Sequence, residues 1–373
     1  MRIAIFENIM TPGGHEVDFN RILVEELKNL GHEIIFYVTE NFQFQMDYQT
    51  PVKRLLGNSV TYTNSSGVKK IFASLKREIN RHRWYNQLFH LQKQFDALII
   101  PTATYRYLRS LNDLKNISVP LIFIFHGINP GEARKFLKAT EKLLPHKNVK
   151  CAVLSLAKDI LGQQRENIFI IPPPTYTARD FQPTENFQSE VLTVGFFGQY
   201  RREKKLRDLL EVFVNGKYNR EVKLIVQGST MHEEDAKDFE EIIQQYKNFD
   251  SLEFIHRGLI GAEWQEAIYK TDALLMPYSA PRYRYHWSGM LFTAIGFEKP
   301  VIVSNEMNPE VFEQYKIGET FESGNLDDLA TVLKNFIDNF DENFLTYKEN
   351  LKAANENFSP ANFARRLEKI ILS

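Results

Sequence analysis

The chain alternates short apolar runs with longer amphipathic segments. Runs such as Leu121-Ile122-Phe123-Ile124-Phe125 lack polar alternation, which is expected of strands covered on both faces of a parallel sheet. Strand and helix signals that alternate in this way predict a doubly wound α/β domain in the first half. Its predicted strands are residues 3–6, 33–38, 97–100, 121–125 and 151–154, and its predicted helices are 16–30, 71–94 and 131–143.

The same rhythm returns after a break at residues 167–190. Pro172-Pro173-Pro174 cannot continue a helix, and polar residues follow, which indicates a domain linker. Strands are predicted at 192–197, 223–227, 252–256, 273–276 and 300–303. We therefore expect an N-terminal Rossmann-like domain at 1–170, a linker at 171–190, a C-terminal Rossmann-like domain at 191–358, and a terminal helix at 359–373 that can cross back to the first domain.

Composition supports two domains and narrows the chemistry. A chain of 373 residues exceeds the usual span of one hydrophobic core. Its one cysteine, Cys151, cannot form an internal disulfide or a cysteine zinc cluster. No signal segment or membrane-spanning run is evident, so a cytoplasmic protein is expected. Residues 1–189 carry 24 Lys and Arg against 17 Asp and Glu, and residues 190–373 carry 22 against 30, so the first half is expected to meet something anionic.

Two motifs in the first half follow predicted strands. Gly13 and Gly14 precede the first helix, where backbone amides can approach an anion, although a plain tight turn explains them equally well. His126-Gly127 ends an apolar strand, at the edge where doubly wound sheets bind ligands. A structural histidine that caps a turn is the alternative for His126.

Two more motifs lie in the second half. The loop from Gly198 to Lys205 follows the first strand and contains four cations before a helix, which suits a diphosphate, although a solvated charge run is the commoner explanation. Farther on, a strand runs through Met276-Pro277-Tyr278 into an aromatic loop. Ser288-Gly289 then begins a helix and would present free N–H groups to an anion.

The order of these motifs resembles the family 4 retaining glycosyltransferases of the GT-B fold, and the resemblance covers nearly the whole chain. The matching pieces are Gly13-Gly14, Leu30-Gly31-His32, His126-Gly127, Val226-Gln227-Gly228, the segment 272–277, and Lys299-Pro300. The resemblance implies two Rossmann-like domains that face each other across a cleft. It also implies a nucleotide diphosphate-sugar donor, retention at the anomeric carbon, and no cofactor or bound metal.

Three expected family residues are replaced. Counting back from Lys204, the family arginine falls on Gln199, and counting back from Lys299, the two family glutamates fall on Tyr285 and Thr293. Thr293 can still offer a hydroxyl to a ribose. The resemblance implies His126 and Lys204 as catalytic residues, and Gly13, Gly14, Gln199, Arg202, Gly228, Gly258, Tyr278, Arg284, Ser288, Gly289 and Thr293 as donor-binding residues.

The expected function is glycosyl transfer to a glycan or lipid-linked acceptor in polysaccharide or glycoconjugate biosynthesis. Because both acids are missing, a non-catalytic binding partner of the same fold is the first alternative. A nucleotide-sugar epimerase is the second, although no acid–base cluster for it is evident. Nucleic-acid binding is not expected, because the net charge is only −1 and no such motif is present.

Residues 69–94 combine basic and apolar side chains at helical spacing. Lys76, Arg77, Arg81 and Arg83 lie among aliphatic and aromatic residues, so the helix is able to rest on an anionic membrane that carries a lipid-linked acceptor. An ordinary surface helix is the alternative.

Overall fold

The chain divides into two compact units in a computed structural model, which describes residues 1–9, 15–59, 68–111, 114–157, 159–162, 165–177 and 191–373. The first unit contains Met1–Pro173 and Pro360–Ser373, and the second contains Pro174–Ser359. The predicted anion loop at Gly13 and Gly14 lies outside the described residues, as does most of the predicted linker.

The first unit is built on a seven-stranded parallel sheet in the order β3-β2-β1-β4-β5-β6-β7. The order reverses between β1 and β4, so this sheet is doubly wound. Its strands are β1 (Arg2–Glu7), β2 (Glu33–Thr39), β3 (Val52–Leu55), β4 (Ala97–Ile100), β5 (Leu121–Phe125), β6 (Val149–Leu154) and β7 (Ile168–Ile171). Its helices are α1 (His15–Asn29), α2 (Val68–His90), α3 (Tyr105–Arg109) and α4 (Pro130–Glu141), joined by α12 (Pro360–Leu372).

The second unit repeats the plan with six parallel strands in the order β10-β9-β8-β11-β12-β13. The strands are β8 (Leu192–Phe196), β9 (Val222–Gln227), β10 (Leu252–Ile255), β11 (Ala273–Met276), β12 (Val301–Ser304) and β13 (Gly318–Phe321). The helices are α5 (Leu206–Asn215), α6 (Glu233–Tyr246), α7 (Gly261–Tyr269), α8 (Gly289–Gly296), α9 (Pro309–Gln314), α10 (Leu326–Asp338) and α11 (Phe340–Asn357).

The apolar runs form the central strands, as the sequence predicts. Every residue of β4, β5, β6, β11 and β12 is buried, because these strands have a neighbour on each side and are covered on both faces. Local signals set some helix ends. The Asn129 side chain accepts a hydrogen bond from the Gly131 amide at the start of α4, directly before Pro130.

The structure adds three edge strands that the sequence analysis does not predict: β3, β7 and β13. Each is only four residues long, and β3 is mostly exposed. Such strands carry weak periodicity and are recognisable mainly through the neighbour that pairs with them. Strand β7 also corrects the boundary of the predicted linker, because Ile171 still pairs with Leu154 of β6.

The last helix packs within the first unit, although it follows the whole second unit in the chain. Phe363 is fully buried, with its ring centroid 5.6 Å from that of Phe19 on α1. The Lys150 ammonium on β6 donates a 2.8 Å hydrogen bond to the Ile370 carbonyl, near the end of α12. The helix therefore completes the core of the first unit.

Candidate functional site

The candidate site lies at the switch point of the second sheet. Strands β8 and β11 are neighbours there, and the chain order reverses between them. Ligands of doubly wound sheets bind outside the carboxyl ends of the strands at such a point. The loops that follow these two strands are residues 197–205 and 277–288, which include the third and fourth sequence motifs.

Lys204 lies in the first of these loops, in a short 3₁₀ turn formed by Arg202–Lys204. The residue is only 8% exposed, and its ammonium lies 4.7 Å from the ring centroid of Tyr278 in the second loop. In the described part of the chain, the ammonium has no hydrogen-bond acceptor and no carboxylate within salt-bridge distance, and Glu203 supplies only a longer-range attraction. A buried cation without an anionic partner is unfavourable, so this position favours binding of an anion.

Burial and neighbouring cations lower the pKa of Lys204 to about 7. Desolvation is the largest cause, and repulsion by Arg201 and Arg282 adds to it, while Glu203 opposes the shift. The Arg282 guanidinium lies 2.5 Å from a Glu203 carboxylate oxygen, and the Arg201 guanidinium lies 3.7 Å from the same oxygen. Glu203 thus forms its ion pairs with the two arginines and not with Lys204, which leaves the cluster of three cations and one carboxylate with an excess of positive charge.

The backbone of the first loop makes room for Lys204. Gly198 has a φ of +104°, and a Cβ built there would lie 3.4 Å from the Lys204 Nζ and 3.6 Å from the Met290 side chain. A side chain at this position would be strained by the positive φ, and its Cβ would already be in van der Waals contact with the ammonium. Met290 belongs to the first turn of α8, so the glycine brings the start of that helix close to the loop.

Gln227, the last residue of β9, connects the first loop to the residues after β10 through hydrogen bonds. Its side-chain oxygen accepts a 3.0 Å hydrogen bond from the Gly198 amide, and its side-chain nitrogen donates to the Arg257 carbonyl. Gly228 follows, and a Cβ there would lie 2.7 Å from the Phe239 ring of α6. Gly258 is exposed after β10, with open space except near the Ser229 Cβ at 3.9 Å. The predicted glycines thus lie at the ends of β9 and β10.

The start of α8 contains Ser288, Gly289 and Thr293. The Ser288 hydroxyl accepts from the Leu291 amide and caps the helix. Thr293 is 4% exposed, and its hydroxyl donates a 2.8 Å hydrogen bond to the Gly289 carbonyl. At the last residue of α8, Gly296, a Cβ would lie 1.9 Å from the Tyr176 carbonyl oxygen. Glycine is therefore required where the backbone at Tyr176 passes close to the helix.

Several other predicted donor-binding side chains already have partners. The Arg202 guanidinium lies 3.7 Å from Asp238 of α6, and the Arg284 guanidinium pairs with Glu310. The Gln199 side chain accepts a 3.3 Å hydrogen bond from Arg201. Tyr278 is buried, with its hydroxyl 3.4 Å from the Phe197 carbonyl oxygen, so its ring face, rather than its hydroxyl, meets Lys204.

The corresponding switch point of the first unit lies between β1 and β4. His126 follows β5, and its Nε2–H donates a 2.9 Å hydrogen bond to the Pro101 carbonyl after β4. Glu7, at the end of β1, is buried and accepts hydrogen bonds from the Asn8 and Ile9 amides and the Thr102 hydroxyl. Burial raises the pKa of this carboxyl to about 7 despite these bonds. Glu7 was not among the residues predicted from the sequence.

Sequence reasoning also missed Arg282 and Glu203 in the second unit. Both lie inside motifs that it identified, but a charge run does not reveal which members face inward. The ion pair between Arg282 and Glu203 joins residues 79 positions apart in the chain. The Ser279 amide also donates a 3.1 Å hydrogen bond to the Glu203 carbonyl. The nearest available signal was the pair of arginines that flanks Tyr283.

Comparisons with known proteins agree with this geometry. Residues 178–354, nearly all of the second unit, match the sequence model of the family described as glycosyl transferases group 1. The second unit therefore carries the sequence signature of group 1 glycosyltransferases, and the chain is a glycosyltransferase with the GT-B fold. No curated protein sequence shows significant similarity to it.

Solved structures share the fold of this glycosyltransferase along its whole length. A glycosyltransferase from Rickettsia africae ESF-5 is 14% identical with a TM-score of 0.71, covering 99% of this chain and 97% of that one. Anabaena HepE in complex with UDP and glucose is 14% identical with a TM-score of 0.69, covering 99% and 98%. WaaG, a glycosyltransferase involved in lipopolysaccharide biosynthesis, is 13% identical with a TM-score of 0.66, covering 99% of each chain.

Two further features of the described residues concern metal-binding clusters and membrane-spanning helices. Within the residues that the structure describes, no cluster of three or more His, Cys, Asp or Glu side chains is arranged to hold a metal ion. None of the described helices is both long enough and apolar enough to span a bilayer.

Proposed function

We propose that this glycosyltransferase uses a uridine diphosphate-sugar and that Lys204 binds the diphosphate. The observation that carries the proposal is the buried Lys204 ammonium, which has no acceptor in the described part of the chain and lies at the switch point of the second sheet. Arg201 and Arg282 add positive charge beside it. UDP and glucose bound to HepE, a protein of the same fold, favour the uridine nucleotide.

The proposed step is transfer with retention, without a metal ion. The bond between the anomeric carbon and the diphosphate oxygen breaks, and its electron pair stays on the diphosphate. The acceptor hydroxyl forms the new bond from the same face and gives its proton to the leaving oxygen. Lys204 and the two arginines stabilise the negative charge that develops on the diphosphate. The Ser288–Gly289 amides and the Thr293 hydroxyl are proposed contacts for the phosphate and the ribose.

The proposed acceptor is a glycan or a lipid-linked molecule in polysaccharide or glycoconjugate biosynthesis. Helix α2 supports a peripheral contact with an anionic membrane, because it exposes large apolar side chains beside its basic residues. Those exposed side chains are Ile71 (69%), Phe72 (68%), Leu75 (54%) and Ile79 (57%). WaaG, which shares the fold, acts in lipopolysaccharide biosynthesis.

Nucleotide titration of a Lys204→Met variant tests the diphosphate contact. Methionine fills the space but removes the charge, so we expect UDP affinity to fall by at least about 30-fold, corresponding to roughly 2 kcal/mol for one charge-assisted contact. Calorimetry with UDP, GDP and ADP measures the affinity and the base preference. Turnover of a UDP-sugar should persist in EDTA.

Lys205→Asn is the matched control. It removes a positive charge one residue away, where the ammonium lies 3.4 Å from Asp208 and the backbone φ of +56° suits asparagine. UDP affinity should change less than about threefold, as expected for an exposed ion pair. Equal affinities in wild type and Lys204→Met would refute the assignment, and a wild type that binds no nucleotide would remove the proposed donor class.

His126 is proposed to act on the sugar rather than on the nucleotide. His126→Gln keeps a side-chain N–H at the reach of Nε2 for the Pro101 carbonyl and removes the imidazole. We expect kcat to fall about 100-fold, the lower range for a catalytic side chain, while UDP affinity stays within a factor of about two. Steady-state kinetics and calorimetry separate the two effects. A parallel loss of UDP affinity would instead give His126 a structural role.

A further inference from the structure

A second cationic cavity lies in the first unit, between α2 and α3. Its volume is about 400 Å³, within the range of roughly 300–1,000 Å³ that is typical of ligand pockets. All of its lining belongs to these two helices, far along the chain from Lys204. The lining side chains are Ile71, Ser74, Arg77, Glu78, Arg81, Tyr105, Arg106 and Arg109.

The cavity contains four arginines and a single carboxylate. Arg81 is only 8% exposed, and its one hydrogen bond, 3.1 Å long, goes from Nε to the Ser110 hydroxyl. Its guanidinium also lies 5.1 Å from the Tyr107 ring centroid, and no carboxylate in the described chain pairs with it. Arg109 has no partner among the described residues. Arg81 and Arg109 therefore bring to the cavity two positive charges that no carboxylate among the described residues neutralises.

The chemistry of the lining selects a particular kind of anion. Guanidinium groups present several N–H donors in a plane, which matches the oxygens of a phosphate better than a single ammonium does. Ser74 and Tyr105, which also line the cavity, carry hydroxyl groups that are able to hydrogen-bond. Ile71 lines the cavity and is itself exposed, as are its apolar neighbours Phe72 and Leu75.

We infer that this arginine cavity binds the phosphate headgroup of an anionic lipid, whose apolar chains contact Ile71, Phe72 and Leu75. The charge complementarity of the cavity and the adjacent exposed apolar side chains support this occupant over free phosphate. The inference deepens the proposed function and rests on its membrane contact, because it assigns the headgroup to one cavity rather than to the diffuse charge of α2.

Vesicle flotation with the full chain tests the inference. Vesicles of phosphatidylcholine alone are compared with vesicles that contain equal parts of phosphatidylcholine and phosphatidylglycerol. Arg109→Gln and Arg81→Lys should each weaken binding to the anionic vesicles by at least about tenfold, because each removes a guanidinium from the cavity. Lys76→Gln, an exposed cation of α2 outside the cavity, should weaken it by at most about fivefold, the value of one lysine near an anionic surface.

The outcomes separate the cavity from its alternatives. Equal losses in Arg109→Gln and Lys76→Gln would overturn the inference in favour of diffuse attraction. Binding of inorganic phosphate in calorimetry, without any binding of wild type to anionic vesicles, would overturn the lipid as occupant. Because Arg81→Lys keeps the charge and Arg109 is exposed, we expect both variants to fold. Thermal unfolding of each variant checks this. UDP titration of the same variants should match wild type, which distinguishes failure of this inference from failure of the donor assignment.

Discussion

Lys204 shows how the surroundings of a single residue create its chemistry. An exposed lysine is cationic throughout the physiological range, but burial and two neighbouring arginines bring the pKa of Lys204 to about 7. A bound diphosphate would oppose both effects and raise the pKa again. Nucleotide binding above pH 7 should therefore be coupled to uptake of a proton.

The sign of this coupling predicts a pH dependence. Below pH 7 Lys204 is already charged in the free protein, so its contribution to UDP affinity should be greatest in that range. Above pH 7 the affinity should fall by up to about tenfold per pH unit, until the pKa of the complex is reached. Calorimetry between pH 7 and 9, in two buffers with different ionisation enthalpies, measures both the affinity and the proton uptake. A wild type with constant affinity over this range would contradict the coupling, and Lys204→Met should show none.

At the level of elements, α12 packs in a different unit from the residues that precede it in the chain. Its amphipathic pattern is visible in the chain, and Pro360 begins it, but its apolar face is buried against α1 and β6 of the first unit. The His32 imidazole, 2.9 Å from the Glu368 carboxylate, and the bond from Lys150 to the Ile370 carbonyl add polar contacts there. The first unit therefore requires a segment that follows the whole second unit along the chain.

Removing one ring from this interface should destabilise the first unit. Phe363→Ala should lower its free energy of unfolding by about 3–5 kcal/mol, through lost apolar burial and the cavity left against Phe19. Native-state hydrogen exchange of the β1 and β2 amides measures this change. Leu372→Ala, at a side chain on the same helix that is 67% exposed, should change it by less than about 0.5 kcal/mol. Equal exchange in the two variants would show that α12 contributes little to the first core.

At the scale of the whole molecule, the two units repeat one fold and differ in chemistry. Both sheets reverse their order at an inner strand, β1 in the first unit and β8 in the second. The second has the buried Lys204 ammonium at that point, whereas the first has a buried carboxyl, Glu7, and has its arginine cavity between α2 and α3. The nucleotide contacts should therefore belong to the second unit.

Hydrogen exchange with and without UDP tests this division. Amides of residues 197–205 and of the first turn of α8 should exchange more slowly with UDP, because ligand contacts and stabilisation suppress local opening. Amides of α2 and α3 should exchange at unchanged rates, since the arginine cavity is assigned to a lipid headgroup. Protection at α2 and α3 without protection at 197–205 would reverse the assignment of the two cationic sites.

The sequence by itself determined the features that depend on near neighbours. Unbroken apolar runs specified β5 and β6, the helical pattern over 131–143 predicted α4, and the motif order indicated both the glycosyltransferase fold and Lys204. Secondary structure and capping arise from contacts within a few residues, so they can be read along the chain. Short edge strands such as β3 could not be predicted from the sequence, because they form a strand only by pairing with a neighbouring strand.

Tertiary structure decided the rest. Only the fold brought Arg282 and Tyr278 beside Lys204, buried its ammonium, and thereby set its pKa. Only the fold placed Arg81 of α2 and Arg109 of α3 around one cavity, and returned α12 to the first unit. Burial and electrostatic interaction depend on distance in space and on exclusion of water, and neither quantity is encoded by spacing along the chain.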